Sequence, residues 1–266
     1  MKFASGKPMR RFPSDFAELL TPLGRRVLRS TVSQFRSMFK NEKTLFALLE
    51  GMIDRNKAHD CFRLLDRHLY HLLVSESSRI PADSISSMQE NYGESLQKVF
   101  RFKTAFLASR AARSYRAAEE LGLLTMLKSD SFAQFGEAIT GLQLVRPPSF
   151  QVICYEHGHY VGPHNDYHPE DDPDCVGFVD MHVTLCNDAV AHQFLVYEQH
   201  GHLSAIVDMN LAGGVSIYRL PFWHQVTPLV GKPGREREAR RWLLLGTFDI
   251  RDSQNGNSRR RKGALA

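Results

Sequence analysis

Tyr155-Glu156-His157-Gly158-His159-Tyr160-Val161-Gly162-Pro163-His164-Asn165-Asp166-Tyr167-His168 is the stretch on which the reading of the chain turns. On an extended strand, residues i and i+2 project to the same side. The spacing therefore predicts that His164 and Asp166 point together into whatever the strand lines. One imidazole and one carboxylate are two thirds of a facial iron site, which a second histidine from elsewhere in the chain would complete.

Around that stretch the texture is that of a β domain. From Leu142 onward, runs rich in β-branched and aromatic residues recur between turn signals: 150–155, 180–186, 193–197, 203–208, 215–220 and 241–250. Gly201, Gly213 with Gly214, and the glycines at 231 and 234 punctuate them. Many short strands without helices between them predict a sandwich or barrel, not a parallel sheet.

The half that precedes it reads as helical. Phe16, Leu19, Leu20 and Leu23 fall at helical spacing behind a cap at Ser14 or Asp15, and Pro22 divides that segment into two short helices. Further helices are expected over 41–53, 58–73, 88–97 and 105–127, and a short one from Ser131, anchored by Phe132 and Phe135 and ended at Thr140-Gly141. The polar run 75–87, with Pro81, reads as a loop. The expected fold class is α+β: a C-terminal double-stranded β-helix, or jelly roll, supported by a helical N-terminal region. The expected units are a flexible leader (1–13), a helical region (14–100), the β domain with supporting helices (101–251) and a basic disordered tail (252–266).

Composition sets the outer bounds. Of the 266 residues, 42% are hydrophobic and 24% charged, the balance of an ordinary globular chain that can bury a substantial core. No apolar run reaches the length of about 18 residues that crosses a membrane. The basic start, Met1-Lys2-Phe3-Ala4-Ser5, lacks the apolar segment of a secretory signal. Cys61, Cys154, Cys175 and Cys186 form no close pair, which predicts free thiols in a reducing compartment and the cytoplasm by default. The net charge of +5 is concentrated near both ends, so contact with nucleic acid is permitted, but no interleaving of aromatic and basic residues points to it.

The missing ligand has a candidate in His224, 58 positions beyond Asp166 and several strands later. Two imidazoles and one carboxylate on one face of Fe(II) leave three positions for a bidentate co-substrate and dioxygen. Such a co-substrate needs a cation for its far carboxylate. Arg241, which opens the apolar strand Trp242–Phe248, can grip one through two parallel hydrogen bonds. Arg240 is the alternative, because neighbours on a strand face opposite ways and only one of the two can enter a pocket.

With these residues the chain resembles the Fe(II)/2-oxoglutarate-dependent dioxygenases, in the branch that includes prolyl hydroxylases. The resemblance is carried in order by Tyr155, Gly158, Tyr160 and His164-x-Asp166, by Leu185-Cys186-Asn187, by Ala212-Gly213-Gly214, by His224-x-Val226-x-Pro228, and by the arginine before Gly246-Thr247-Phe248. It spans about residues 100 to 250. It implies that His164, Asp166 and His224 bind iron. It also implies that Arg241 holds the 5-carboxylate of 2-oxoglutarate with a hydroxyl hydrogen bond from Tyr155. The implied reaction uses dioxygen, releases succinate and carbon dioxide, and hydroxylates a C–H bond of a small molecule or of a peptide or protein residue. The chain departs from the family in its long charged link, Gly231 to Ala239, and in the acidic segment Pro169 to Asp174, which could draw a cationic substrate to the mouth. Two other readings stand beside this one: a non-catalytic jelly-roll binding module, and an oxidative demethylase of nucleic acid. His68 and His71 read as surface residues, the remaining histidines as polar strand or loop residues, and Trp223 as packing.

Overall fold

The computed structural model describes residues 10–30, 39, 45–79, 99–166, 177–210 and 212–250. The expected helix at 88–97, the acidic segment, Cys175 and the basic tail lie outside the described residues. Thirteen strands are described: β1 (Phe46–Leu49), β2 (Val74–Ser78), β3 (Phe100–Phe106), β4 (Ser149–Glu156), β5 (Tyr160–His164), β6 (Phe178–Cys186), β7 (Val190–His192), β8 (Phe194–Gln199), β9 (His202–Asp208), β10 (Val215–Leu220), β11 (His224–Val226), β12 (Val230–Gly231) and β13 (Arg240–Asp249). The α-helices are α1 (Pro22–Arg29), α2 (Arg55–His68), α3 (Arg113–Glu120), α4 (Leu123–Leu127) and α5 (Asp130–Thr140).

Eleven of the strands form one antiparallel sheet in the order β1-β10-β6-β13-β4-β3-β5-β11-β8-β9, with β2 added to β3; β7 and β12 pair apart. The sheet curls until its far ends approach, and Phe46 of β1 meets Tyr197 of β8 with ring centroids 5.2 Å apart. This large curled antiparallel sheet is consistent with the expected jelly roll.

Strand alternation decides what each wall presents. On β13, Trp242, Leu244 and Phe248 face a helix-covered core, while Arg241, Leu243, Leu245 and Thr247 line the inside of the curl. On β6, Val179, Met181, Val183 and Leu185 take the core side, and Asp180 and His182 the inside. Helix α5 covers the outer face so closely that a Cβ on Gly246 would stand 2.6 Å from Cε1 of Phe132.

The N-terminal half departs from the helical expectation. Residues 46–49 form a strand, paired to β10 with Phe46 opposite Tyr218, and Gly51 turns the chain at φ 67°. The apolar spacing of Leu45, Phe46, Leu48, Leu49, Met52 and Ile53 suits a helix face as well as a short buried strand, and sheet pairing decided between them. The expected loop 75–87 begins as β2, a polar edge strand held by its main-chain ladder to β3. Residues 105–127 are not one helix: Ala105 and Phe106 end β3, and α3 and α4 follow as separate pieces. The region thus contributes sheet edges as well as helices. Of its helices, α2 buries Cys61, Leu64 and Leu65 in the main core.

Local capping differs in detail. Asp15 accepts from the amide of Ala17 and forms a capping box with Glu18, but around a 3-10 turn; Thr21 caps α1, with Pro22 at its first turn. Ser129, not Ser131, stands at the N-cap of α5. The Ser131 hydroxyl instead donates to Asp15 at 2.6 Å, tying α5 to the chain start. Cys61, Cys154 and Cys186 are free thiols. No helix among the described residues is long and apolar enough to cross a membrane.

Candidate metal centre and cavity

β5 and β11 are antiparallel neighbours, and their register sets His164 directly opposite His224. The two rings lie 4.1 Å apart, centroid to centroid. Each ring is oriented from behind by a main-chain carbonyl: Nδ1 of His164 is 2.7 Å from the oxygen of Gly162, and Nδ1 of His224 is 2.9 Å from that of Phe222. A carbonyl only accepts, so the proton is on Nδ1 and the lone pair of each ring is on Nε2. Phe222 also stacks on His224 at 4.7 Å.

Asp166 reaches the same point by a different route from the one expected. The strand ends at His164, and Asp166 takes a left-handed φ of 55°, so a turn, not strand alternation, brings its carboxylate round. Its Oδ2 stands 3.3 Å from Nε2 of His164 and 3.6 Å from Nε2 of His224. Among the described residues, these three form the one group of His, Cys, Asp and Glu side chains close enough to hold a metal ion. Two neutral imidazole nitrogens and a carboxylate oxygen, with their orienting bonds behind them, are a donor set that fits Fe(II).

The three side chains border a cavity of about 600 Å³ enclosed by the curl. Arg241, 1% exposed, also lines it, set opposite Tyr155 on β4 and Cys186 on β6. Nη1 of Arg241 donates to Gln193 at 2.9 Å and Nη2 to Thr184 at 3.4 Å, while Nε has no partner among the described residues. Both partners are uncharged, and burial lowers the affinity of the guanidinium for its proton. Burial also pushes the Tyr155 hydroxyl up to about 12, so it stays protonated and able to donate. Arg240 faces the opposite way, donating to Asp66 at 3.2 Å and lying over the ring of Tyr70. The structure therefore brings His164, Asp166, His224, Arg241 and Tyr155 to one cavity and leaves Arg240 outside it.

Other expectations resolve more simply. His68 and His71 are exposed and outside any metal-holding group. His159 is buried, and its Nδ1 accepts from the amide of Glu156. Burial lowers its pKa. Trp223 is 51% exposed and so is not the packing residue expected. Its neighbour Phe222 is buried in that role. The link after Gly231 is tied to the turn between β6 and β7 through Arg235, which donates to both oxygens of Asp188 at 3.0 Å.

Gln193, Asp180, His182 and Tyr218 are cavity or cavity-supporting residues that the sequence reading did not single out. Their signal was present in β6, where Asp180, His182 and Thr184 interrupt an otherwise apolar run at every second position.

No protein-family model matches the chain, and neither does any curated protein. Solved structures do. A 2OG-Fe(II) oxygenase family oxidoreductase from Burkholderia pseudomallei matches at TM-score 0.52 and 13% identity, over 83% of this chain and 91% of that one. SnoN, a non-haem α-ketoglutarate-dependent epimerase from nogalamycin biosynthesis, matches at TM-score 0.51 and 12% identity, over 88% of each chain. A Pseudomonas putida prolyl-4-hydroxylase matches at TM-score 0.45 and 13% identity, over 82% of this chain and all of that one, too distant to carry an argument. At these identities the likeness is one of fold: the chain has the fold of these oxygenase structures.

Proposed function

We propose that the protein is an Fe(II)- and 2-oxoglutarate-dependent oxygenase that hydroxylates a C–H bond of a small molecule or of a peptide or protein residue. The observation that carries this reading is a shared cavity: three converging metal donors and a buried arginine line the same space. In this reading the catalytic unit is residues 101–251, of the prolyl-hydroxylase-like branch.

In this reading His164, Asp166 and His224 hold iron on one face. The carbonyls of Gly162 and Phe222 hold Nδ1 of each ring and leave Nε2 turned toward the metal position. Arg241 receives the 5-carboxylate of 2-oxoglutarate through donors that Gln193 and Thr184 leave unused, and Tyr155 adds its hydroxyl. The low polarity around Arg241 strengthens that grip. Iron, 2-oxoglutarate and dioxygen together supply the oxidation: the co-substrate leaves as succinate and carbon dioxide, and one oxygen atom enters the substrate C–H bond. Ile153, Val161, Leu243 and Leu245 give that space apolar walls.

Release of succinate from 2-oxoglutarate, aerobically with Fe(II), tests the reading. Succinate above a metal-free control supports it, and no release above that control favours a binding module without catalysis.

A further inference from the structure

We propose that the cavity contains a built seat for a positively charged group, an alkylammonium or guanidinium of the substrate, formed by Asp180 with His182. Calling the occupant a substrate rests on the preceding section; the seat itself does not.

Both residues lie on the inner face of β6 and both are buried, with side chains 11% exposed for Asp180 and 9% for His182. Neither is internally satisfied. Oδ1 of Asp180 and Nδ1 of His182 have no hydrogen-bond partner among the described residues. Their closest approach, Nε2 to Oδ2, is 3.7 Å, too long for a hydrogen bond. Oδ1 and Nδ1 are sealed from the cavity. The Asp180 oxygen open to it is Oδ2, which has no hydrogen-bond donor among the described residues either, so a donor entering the cavity meets a carboxylate that nothing there satisfies. An ionised carboxylate accepts only, which selects donors, and cationic donors first.

The surroundings favour a cation. Tyr218 stands directly opposite Asp180 in the β6–β10 ladder, and Phe178 follows on the same inner face; aromatic faces attract cations. Glu76 and Asp166 are the other two carboxylates of the wall, while Arg241 is the sole arginine and no lysine is present among the described lining residues. Arg241 stands further along the wall. Asp180 pairs with Thr247 and Cys186 with Arg241, so the two backbones stand six residues apart along β13, roughly 20 Å at strand spacing, and the Tyr218 side chain lies within electrostatic reach of both. One part of the wall is thus set for an anion and another for a cation. The ring of Tyr218 joins the cationic seat to the metal site, 4.5 Å from the ring of His182 and 5.4 Å from that of His224. A charged group at Asp180 would therefore place its own carbon chain beside the metal.

The test compares n-hexylammonium with 1-hexanol, which matches it in length and lacks the charge. Both are titrated calorimetrically into the full chain loaded with Mn(II) and 2-oxoglutarate. The ammonium is expected to bind at least about ten-fold more tightly, as a charge-assisted hydrogen bond implies, and Asp180→Asn is expected to erase that preference. The comparison within the native chain needs no variant. Equal binding of the two probes, no binding of the ammonium, or a preference unchanged in Asp180→Asn would overturn the seat. The same titrations without metal and co-substrate separate the two proposals. There the Asp180-dependent preference persists even if the chain binds neither Mn(II) nor 2-oxoglutarate, in which case the oxygenase reading alone fails.

Discussion

Arg241 and Tyr155 face each other directly across the β4–β13 ladder, with the guanidinium carbon 5.6 Å from the centre of the phenol ring. Under the proposed function the pair receives the far carboxylate of 2-oxoglutarate. Arg241→Ala is expected to weaken 2-oxoglutarate binding to the Mn(II)-loaded protein roughly 10- to 100-fold, the loss of a charge-assisted pair. Arg241→Lys should fall between, since an ammonium lacks the planar fork. Arg240→Ala should leave that affinity unchanged, because Arg240 is engaged with Asp66 and Tyr70 outside the cavity. Calorimetric titration of the co-substrate measures all three. A larger loss in Arg240→Ala than in Arg241→Ala would reverse the assignment.

His224→Ala removes one of three donors, and the loss of Mn(II) affinity should exceed the roughly 100-fold upper range seen for orienting partners alone. Electron paramagnetic resonance of free Mn(II) reads this directly. Native-like affinity in the variant would exclude His224 as a ligand.

Gly246→Ala tests the packing that carries β13. The new Cβ would meet Phe132 at 2.6 Å, and that ring cannot swing away because it is fully buried against Phe16 and Phe248. Overpacking of this kind costs about 1–3 kcal/mol, a drop of several degrees in melting temperature. An unchanged melting temperature would show that α5 is free to shift.

Glu156 ties Lys103 to the back of the site. Burial raises its pKa, but hydrogen bonds from Tyr70 and Lys103 outweigh that and hold it below the ordinary 4.5. A carboxyl whose folded pKa is depressed stabilises the fold above its unfolded pKa, and that contribution disappears as pH falls through the folded value. The native chain should therefore be more stable than Glu156→Gln at neutral pH, with the gap closing only below pH 4.5. Urea midpoints at several pH values measure it. A gap that closes on the alkaline side instead would contradict this sign.

The grouping of the candidate residues was more legible in the sequence than the fold around them. His164, Asp166 and His224 are recognisable because metal chemistry restricts residue type, and Arg241 because an arginine opens an apolar strand. What strand logic missed was Asp166, where the strand has already ended and a left-handed residue makes the turn. Phe46–Leu49 and Val74–Ser78 were misread for opposite reasons. The first carries apolar residues that suit a helix equally well, and the second carries almost none, being held by main-chain pairing that leaves no side-chain signal. Asp180 and His182 were visible as a polar alternation, but the cavity they face exists only once β6, β10 and β13 lie side by side.

The most direct test of the central claim is the visible spectrum of the protein under anaerobic conditions with Fe(II) and 2-oxoglutarate. A weak charge-transfer band is expected when both are present, absent when either is omitted and absent in His164→Ala. No band in the native protein, or an undiminished band in His164→Ala, would contradict the assignment of this cavity as an iron and 2-oxoglutarate site.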